Sequence, residues 1–253
     1  MTVPDLLPAA PAALLLAFAA LASGVARGFS GFGAALIFVP LAAAAVGPRV
    51  AAPLLLVMDF AAIVALLPGG WRMADRKEVG WLTLGVAAGL PAGVALLAGG
   101  DPVALRWLVS AVILALLAMV ASGWRFSAAP RLRVTLGVGA VAGVLAGVAL
   151  VPGPPVMAWL LGRHLPPAQL RAIFSLFLAA AGVVTALAYA VAGLFTAALL
   201  GPLLVAWPVY GAGVWIGARL FGVVSEAVFR RACYAMIAAA ALVSLPVWDG
   251  WLR

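Results

Sequence analysis

The chain has 253 residues, of which 67% are hydrophobic and 9% charged, with a formal net charge of +8, and its mean hydropathy is +1.25. Soluble domains carry about a quarter charged residues, so this composition excludes a soluble globular domain and calls for an integral membrane protein. A single cysteine, Cys233, and a single histidine, His164, exclude an internal disulfide and give no basis for a haem or multi-histidine metal site. No cofactor is expected.

Ten apolar segments follow in chain order: 8–27, 33–47, 49–68, 79–99, 103–123, 134–151, 154–163, 168–192, 195–222 and 227–247. Most approach the roughly 20 residues that cross about 30 Å of hydrocarbon. The expected fold is therefore all-α, a polytopic transmembrane helix bundle. Met1 to Pro11 lacks a basic stretch and carries prolines, so no cleavable signal peptide is expected. Segments 33–47 and 154–163 are too short for a comfortable crossing. They read as half-helices, re-entrant hairpins or short crossings held inside the bundle.

Both short segments follow Gly/Pro-rich breaks. The first break is Gly24-Val-Ala-Arg27-Gly28-Phe-Ser30-Gly31-Phe-Gly33; the second runs from Gly143 and Gly147 to Pro152-Gly153-Pro154-Pro155. An offset of 119 carries Gly24 onto Gly143, Gly28 onto Gly147 and Pro48 onto Pro167, which divides the chain into repeats 1–123 and 124–253. Broken helices at matching positions of two repeats are a transporter's signature.

Orientation comes from the basic residues. With the loop Arg72 to Glu78 placed inside, twelve Lys and Arg fall on that side and three, Arg49, Arg106 and Arg253, on the other. Such end-of-segment arginines are topology signals, so nucleic acid is not a partner. Both termini then lie outside and each repeat has five segments, which favours an inverted pair. Without the short crossings the repeats would run parallel. Trp71, Trp81, Trp107, Trp124, Trp248 and Trp251 sit at segment ends, as an interfacial aromatic belt requires. Glycine stripes (Gly24 and Gly28; Gly85, Gly89 and Gly93; Gly139, Gly143 and Gly147; Gly213 and Gly217) read mainly as close helix packing, with enough left over to be compatible with a homodimer. Gly28, Gly31, Gly33 and Gly153 are set apart because they fall at the breaks.

The stretch Gly28-Phe-Ser30-Gly31-Phe-Gly33-Ala-Ala-Leu-Ile-Phe-Val-Pro40-Leu, with its Gly-Pro-Pro copy after mid-chain, resembles the TauE/SafE family of sulfite and organosulfonate exporters. The resemblance covers essentially the whole chain. It implies a permease of the bacterial inner membrane, built by internal duplication and moving small sulfur-containing or carboxylated anions. The family motif falls on Gly28, Gly31, Gly33 and Pro40, and in its second copy on Gly147, Gly153, Pro154 and Pro155. Ala34 and Ala35 stand where relatives often have glycine, and the second copy is bulkier and richer in proline.

An anion in the membrane needs donors that are cheap to desolvate, and the N–H groups opening a half-helix supply them. Gly31 and Gly33 read as one such opening and Gly153-Pro154-Pro155 as another; the plain alternative is a pair of ordinary turns. Ser30 is a hydroxyl donor or a helix cap. Asp59 is the only carboxylate in the middle of an apolar run. It reads as a proton-coupling residue or as a structural partner of Arg27 or Arg171. Arg171 is an anion-binding guanidinium or a snorkelling helix-end residue, with Ser175 one turn further on. Arg27 reads the same way, its place inside the glycine motif favouring a binding role. Trp159, Trp207 and Tyr210 line a cavity or pack the core. His164 reads as a solvated loop residue.

The function that follows is secondary transport: an exporter of sulfite, sulfoacetate or a related anion, working by alternating access and coupled to protons. An anion channel of the same architecture is the alternative. No Gly-x4-Gly-Lys-Ser/Thr stretch occurs, which excludes ATP-driven transport by this chain, and no nucleophile with a base supports an enzyme.

Overall fold

The computed structural model describes residues 8–31, 33–70, 74–126, 131–163 and 165–248. Trp71, Arg72, His164, Trp251 and Arg253 lie outside the described residues, and Trp248 is described by its backbone alone. Ten α-helices run through the described chain: α1 Ala10–Ser30, α2 Ala34–Val46, α3 Pro48–Gly70, α4 Arg76–Gly99, α5 Pro102–Ala121, α6 Leu132–Ala149, α7 Gly153–Gly162, α8 Pro167–Val191, α9 Leu200–Leu220 and α10 Glu226–Val243. Six stretches, those of α1, α4, α5, α6, α8 and α9 with its preceding 3-10 turn, are long and apolar enough to cross a membrane. The 13 residues of α2 and 10 of α7 reach only about 20 and 15 Å at ~1.5 Å per residue.

Every expected segment is a helix, and the shifted ends have local causes. The first helix continues past Arg27 to Ser30, because the chain first turns left-handed at Gly31, φ 74°, whose N–H closes the helix on the Arg27 carbonyl. The ninth begins at Leu200 rather than 195, since the chain turns left-handed at Gly193 and then passes through the 3-10 turn Ala197–Leu199. The tenth stops at Val243, short of 247, where Pro246 cannot continue it.

The chain divides into two compact units. The first comprises residues 1–58, 100–118 and 194–253; the second comprises 59–99 and 119–193. Each unit thus takes helices from both sequence halves.

In the first unit α1 and α9 run side by side in the same direction, Gly24 facing Gly213 and Gly28 facing Val214 and Ala218. A Cβ on Gly28 would lie 2.1 Å from the Val214 carbonyl oxygen, so no side chain fits. In the second unit α4 and α6 make the same parallel contact, Gly85 against Gly139 and Gly93 against Gly147. Lipid gives helices no hydrophobic reason to associate, so this approach of backbones supplies the van der Waals contact that holds them. Trp159, Phe177, Leu82 and Val86 build the second unit's core, together with Phe174.

Candidate functional site

The described residues of the first unit's break are the last turn of α1, Gly31, Gly33 and the first turn of α2. Gly31 (φ 74°) and Gly33 (φ 89°) take left-handed conformations that suit glycine, and a Cβ on either would meet open space. The first-turn N–H groups of Ala34 and Ala35 have no acceptor within their helix, whereas Leu36 donates back to the Gly33 carbonyl at 3.1 Å. Arg27 is buried, 7% exposed, and its guanidinium donates to the Gly31 carbonyl. A cation in the last turn also complements the negative end of α1. Ser30 gives its proton to the Ala26 carbonyl at 2.7 Å, inside α1. Gly28 is not part of the break. It lies within α1, and its place is set by the packing of α9.

The break of the second unit follows the same frame. Ala149 ends α6 and Gly153 opens α7, each 119 residues after Ser30 and Ala34. At the position matching Gly31 stands Leu150, whose φ of 55° makes it the non-glycine residue with positive φ among those described. The turn closes by a paired helix stop: Leu150 N–H to the Ala146 carbonyl at 2.9 Å and Val151 N–H to the Leu145 carbonyl at 3.3 Å. Tyr189 of α8, fully buried, directs its hydroxyl at the Ala146 and Gly147 carbonyls, 3.1 and 3.0 Å away. Pro154 and Pro155 fill the first turn of α7 and carry no N–H, which leaves Gly153 as its one donor. Gly153 also packs closely, a Cβ there lying 3.3 Å from the Phe174 ring.

The far end of α7 is held by charge. Trp159, fully buried, donates its indole N–H to Glu78 Oε1 at 3.0 Å, and Arg163 Nη1 meets the same oxygen at 2.7 Å. The Phe126 N–H adds a bond to the Ala158 carbonyl at 3.1 Å.

The remaining expected residues fall as follows. Asp59 is half-buried in α3. Arg171 is exposed, its Nε 3.4 Å from the Pro167 carbonyl at the start of its own helix, and Ser175 is half-buried one turn on. Trp207 is 51% exposed and Tyr210 is 2% exposed, its carbonyl facing Gly24. In the first unit the structure thus gathers Arg27, Ser30, Gly31 and Gly33. In the second it gathers Gly153, Pro154 and Pro155, with Trp159 two turns along α7.

Sequence reasoning passed over Tyr189 and Glu78. Tyr189 stood as a phenol inside an apolar run, and a buried hydroxyl needs an acceptor. Glu78 was taken for part of a solvated loop.

No curated protein and no solved structure matches the chain. The model of the family "Sulfite exporter TauE/SafE" matches residues 16–244. That match spans nearly all ten helices, breaks included, so the chain belongs to the TauE/SafE sulfite exporter family and is an integral membrane transporter of sulfite or a related anion.

Proposed function

We propose that this transporter is a proton-coupled exporter of a small sulfur oxyanion or sulfonate and that the anion is recognised at the opening of α2. One observation carries the reading: the first-turn N–H groups of Ala34 and Ala35, which have no acceptor within their own helix, open a short helix directly after a break in which a buried arginine, Arg27, is held on the Gly31 carbonyl. Backbone donors of this kind cost little to desolvate, and the arginine's charge favours an anion over a neutral solute. The opening of α7, with one donor, supports a lesser share of the work.

Alternating access is carried in this reading by two repeats, 1–123 and 124–253, which run in opposite directions across the membrane. The matching ends of α1 and α6, starts of α2 and α7, and starts of α3 and α8, each 119 apart, support the duplication. Asp59 is the coupling group, a half-buried carboxylate within an apolar helix.

The decisive experiment removes one donor and nothing else. Ala35 corresponds to Pro154 at the offset of 119, and α7 tolerates proline there. Ala35→Pro should therefore keep the fold and raise KM about tenfold, the loss of one hydrogen bond to a charged group. Sulfite, sulfoacetate and isethionate uptake into proteoliposomes measures it. An unchanged KM for all three refutes recognition at α2. In the same vesicles Asp59→Asn should abolish anion-driven proton movement.

A further inference from the structure

We infer that Arg219, Arg230 and Arg231 form an electropositive collar that concentrates anions at the end of the first unit where α1 stops. The inference rests on the reading that α2 opens onto the anion. Its starting point is Phe29, the residue before the last of α1. Its ring stacks on Phe229 at 3.5 Å and 14° and meets Phe221 edge-on at 5.7 Å and 70°. Independently, a Cβ on Gly28 would lie 2.8 Å from the Ala218 nitrogen, and one on Gly217 3.0 Å from the Phe29 nitrogen. The end of α9 and the start of α10 are thereby fixed at the level of the break. Arg219 lies two residues beyond Gly217, and Arg230 and Arg231 directly follow Phe229.

All three arginines are exposed. The Arg219 guanidinium lies 3.9 Å over the Trp215 ring, which holds its charge at the end of α9. Arg230 and Arg231 sit in the second turn of α10, past the first turn over which a helix dipole acts. Besides orienting the chain, as basic residues at segment ends do, they add positive charge to this end of the unit. Between Arg219 and Arg231 the sequence has one acid, Glu226, leaving a surplus of two positive charges, three less one. A surface potential of one sign raises the local concentration of the opposite ion within a Debye length of about 10 Å at 0.1 M salt.

The test uses full-length protein in phosphatidylcholine vesicles, with sulfite and isethionate as probes. Ionic strength is varied from about 0.01 to about 1 M, over which the Debye length shrinks from ~30 to ~3 Å. For the wild type, KM should rise with salt. The triple variant Arg219→Gln, Arg230→Gln, Arg231→Gln should show a KM about three- to tenfold higher at low salt, the lower end of electrostatic steering effects. The two curves should converge at high salt with kcat unchanged. A salt-independent shift, or a fall in kcat, overturns the collar. So does an effect that appears only when phosphatidylglycerol is added, since the arginines then serve lipid headgroups. Ala35→Pro separates the two proposals. If it is silent while the arginine variant behaves as expected, recognition at α2 fails and the collar stands; if it raises KM while the arginine variant is silent, only the collar fails.

Discussion

At the break of the first unit a guanidinium, Arg27, donates to the Gly31 carbonyl, and two backbone donors open the next helix. At the matching break of the second unit the position of Arg27 is held by Ala146, and a neutral phenol from α8, Tyr189, satisfies the end of α6. There two prolines leave Gly153 as the one donor in the first turn of the next helix. The backbone frame is shared to the residue, while the chemistry on it has diverged. Packing constrains the frame: parallel helices in carbonyl contact accept no side chain, so Gly28 and Gly143 are fixed in both units. The side chains beside the break differ: Arg27 and Ser30 stand at the first, Tyr189 and two prolines at the second.

The largest effect should come from the shared part of that comparison. Gly28→Ala places a methyl 2.1 Å from the Val214 carbonyl, and Gly143→Ala one 2.3 Å from the Val86 carbonyl. Each should lower the thermal midpoint sharply, by a destabilisation of about 3 kcal/mol, the upper end for overpacking, because backbone cannot move aside. Tolerance at one position and not at the other would break the equivalence of the two helix pairs.

Next in size is the charged clamp of the second unit. Glu78→Ala leaves the Trp159 indole N–H and the Arg163 guanidinium without their shared acceptor, and removing one member of such a buried pair costs about 3 kcal/mol. Glu78→Ala and Trp159→Phe should be non-additive in thermal unfolding, since both delete the same hydrogen bond. Additive losses would show that Glu78 acts through Arg163 alone. Tyr189→Phe should cost less, about 1–2 kcal/mol, by leaving the Gly147 carbonyl unsatisfied.

Much of this frame was legible in the sequence for a physical reason. Apolar runs in a membrane protein are long and few charges interrupt them, so segment order and number followed from composition alone. The Gly/Pro breaks marked where α2 and α7 begin, because few other residues stop a helix in lipid. Side-chain roles were less legible. Gly28 looked like part of the break, yet a glycine that admits a neighbouring backbone and one that turns the chain are the same letter; only α9 separates them. Trp159 was expected to line a cavity or to pack the core; it packs the core, and the partner of its N–H, Glu78, lies 81 residues away. The pairing of α1 with α9 and of α4 with α6 joins the two sequence halves, which an offset between repeats does not reveal.

The smallest effects sharpen the comparison most, because they exchange the two breaks at a single position. Gly31 and Leu150 share a left-handed backbone and differ in whether the residue is suited to it. An L-residue in that conformation pays about 1 kcal/mol. Gly31→Ala would add a methyl that meets nothing within 4 Å, so it should cost about that amount and no more. Leu150→Gly relieves the same penalty but adds roughly 0.5–1 kcal/mol of chain entropy to the unfolded state, so the two nearly cancel. The expected result is a lowered thermal midpoint for Gly31→Ala and an unchanged one for Leu150→Gly. If Leu150→Gly proves the more damaging, the half-buried leucine side chain, and not the turn, is what holds the second break. The divergence between the units would then extend to what keeps each break closed.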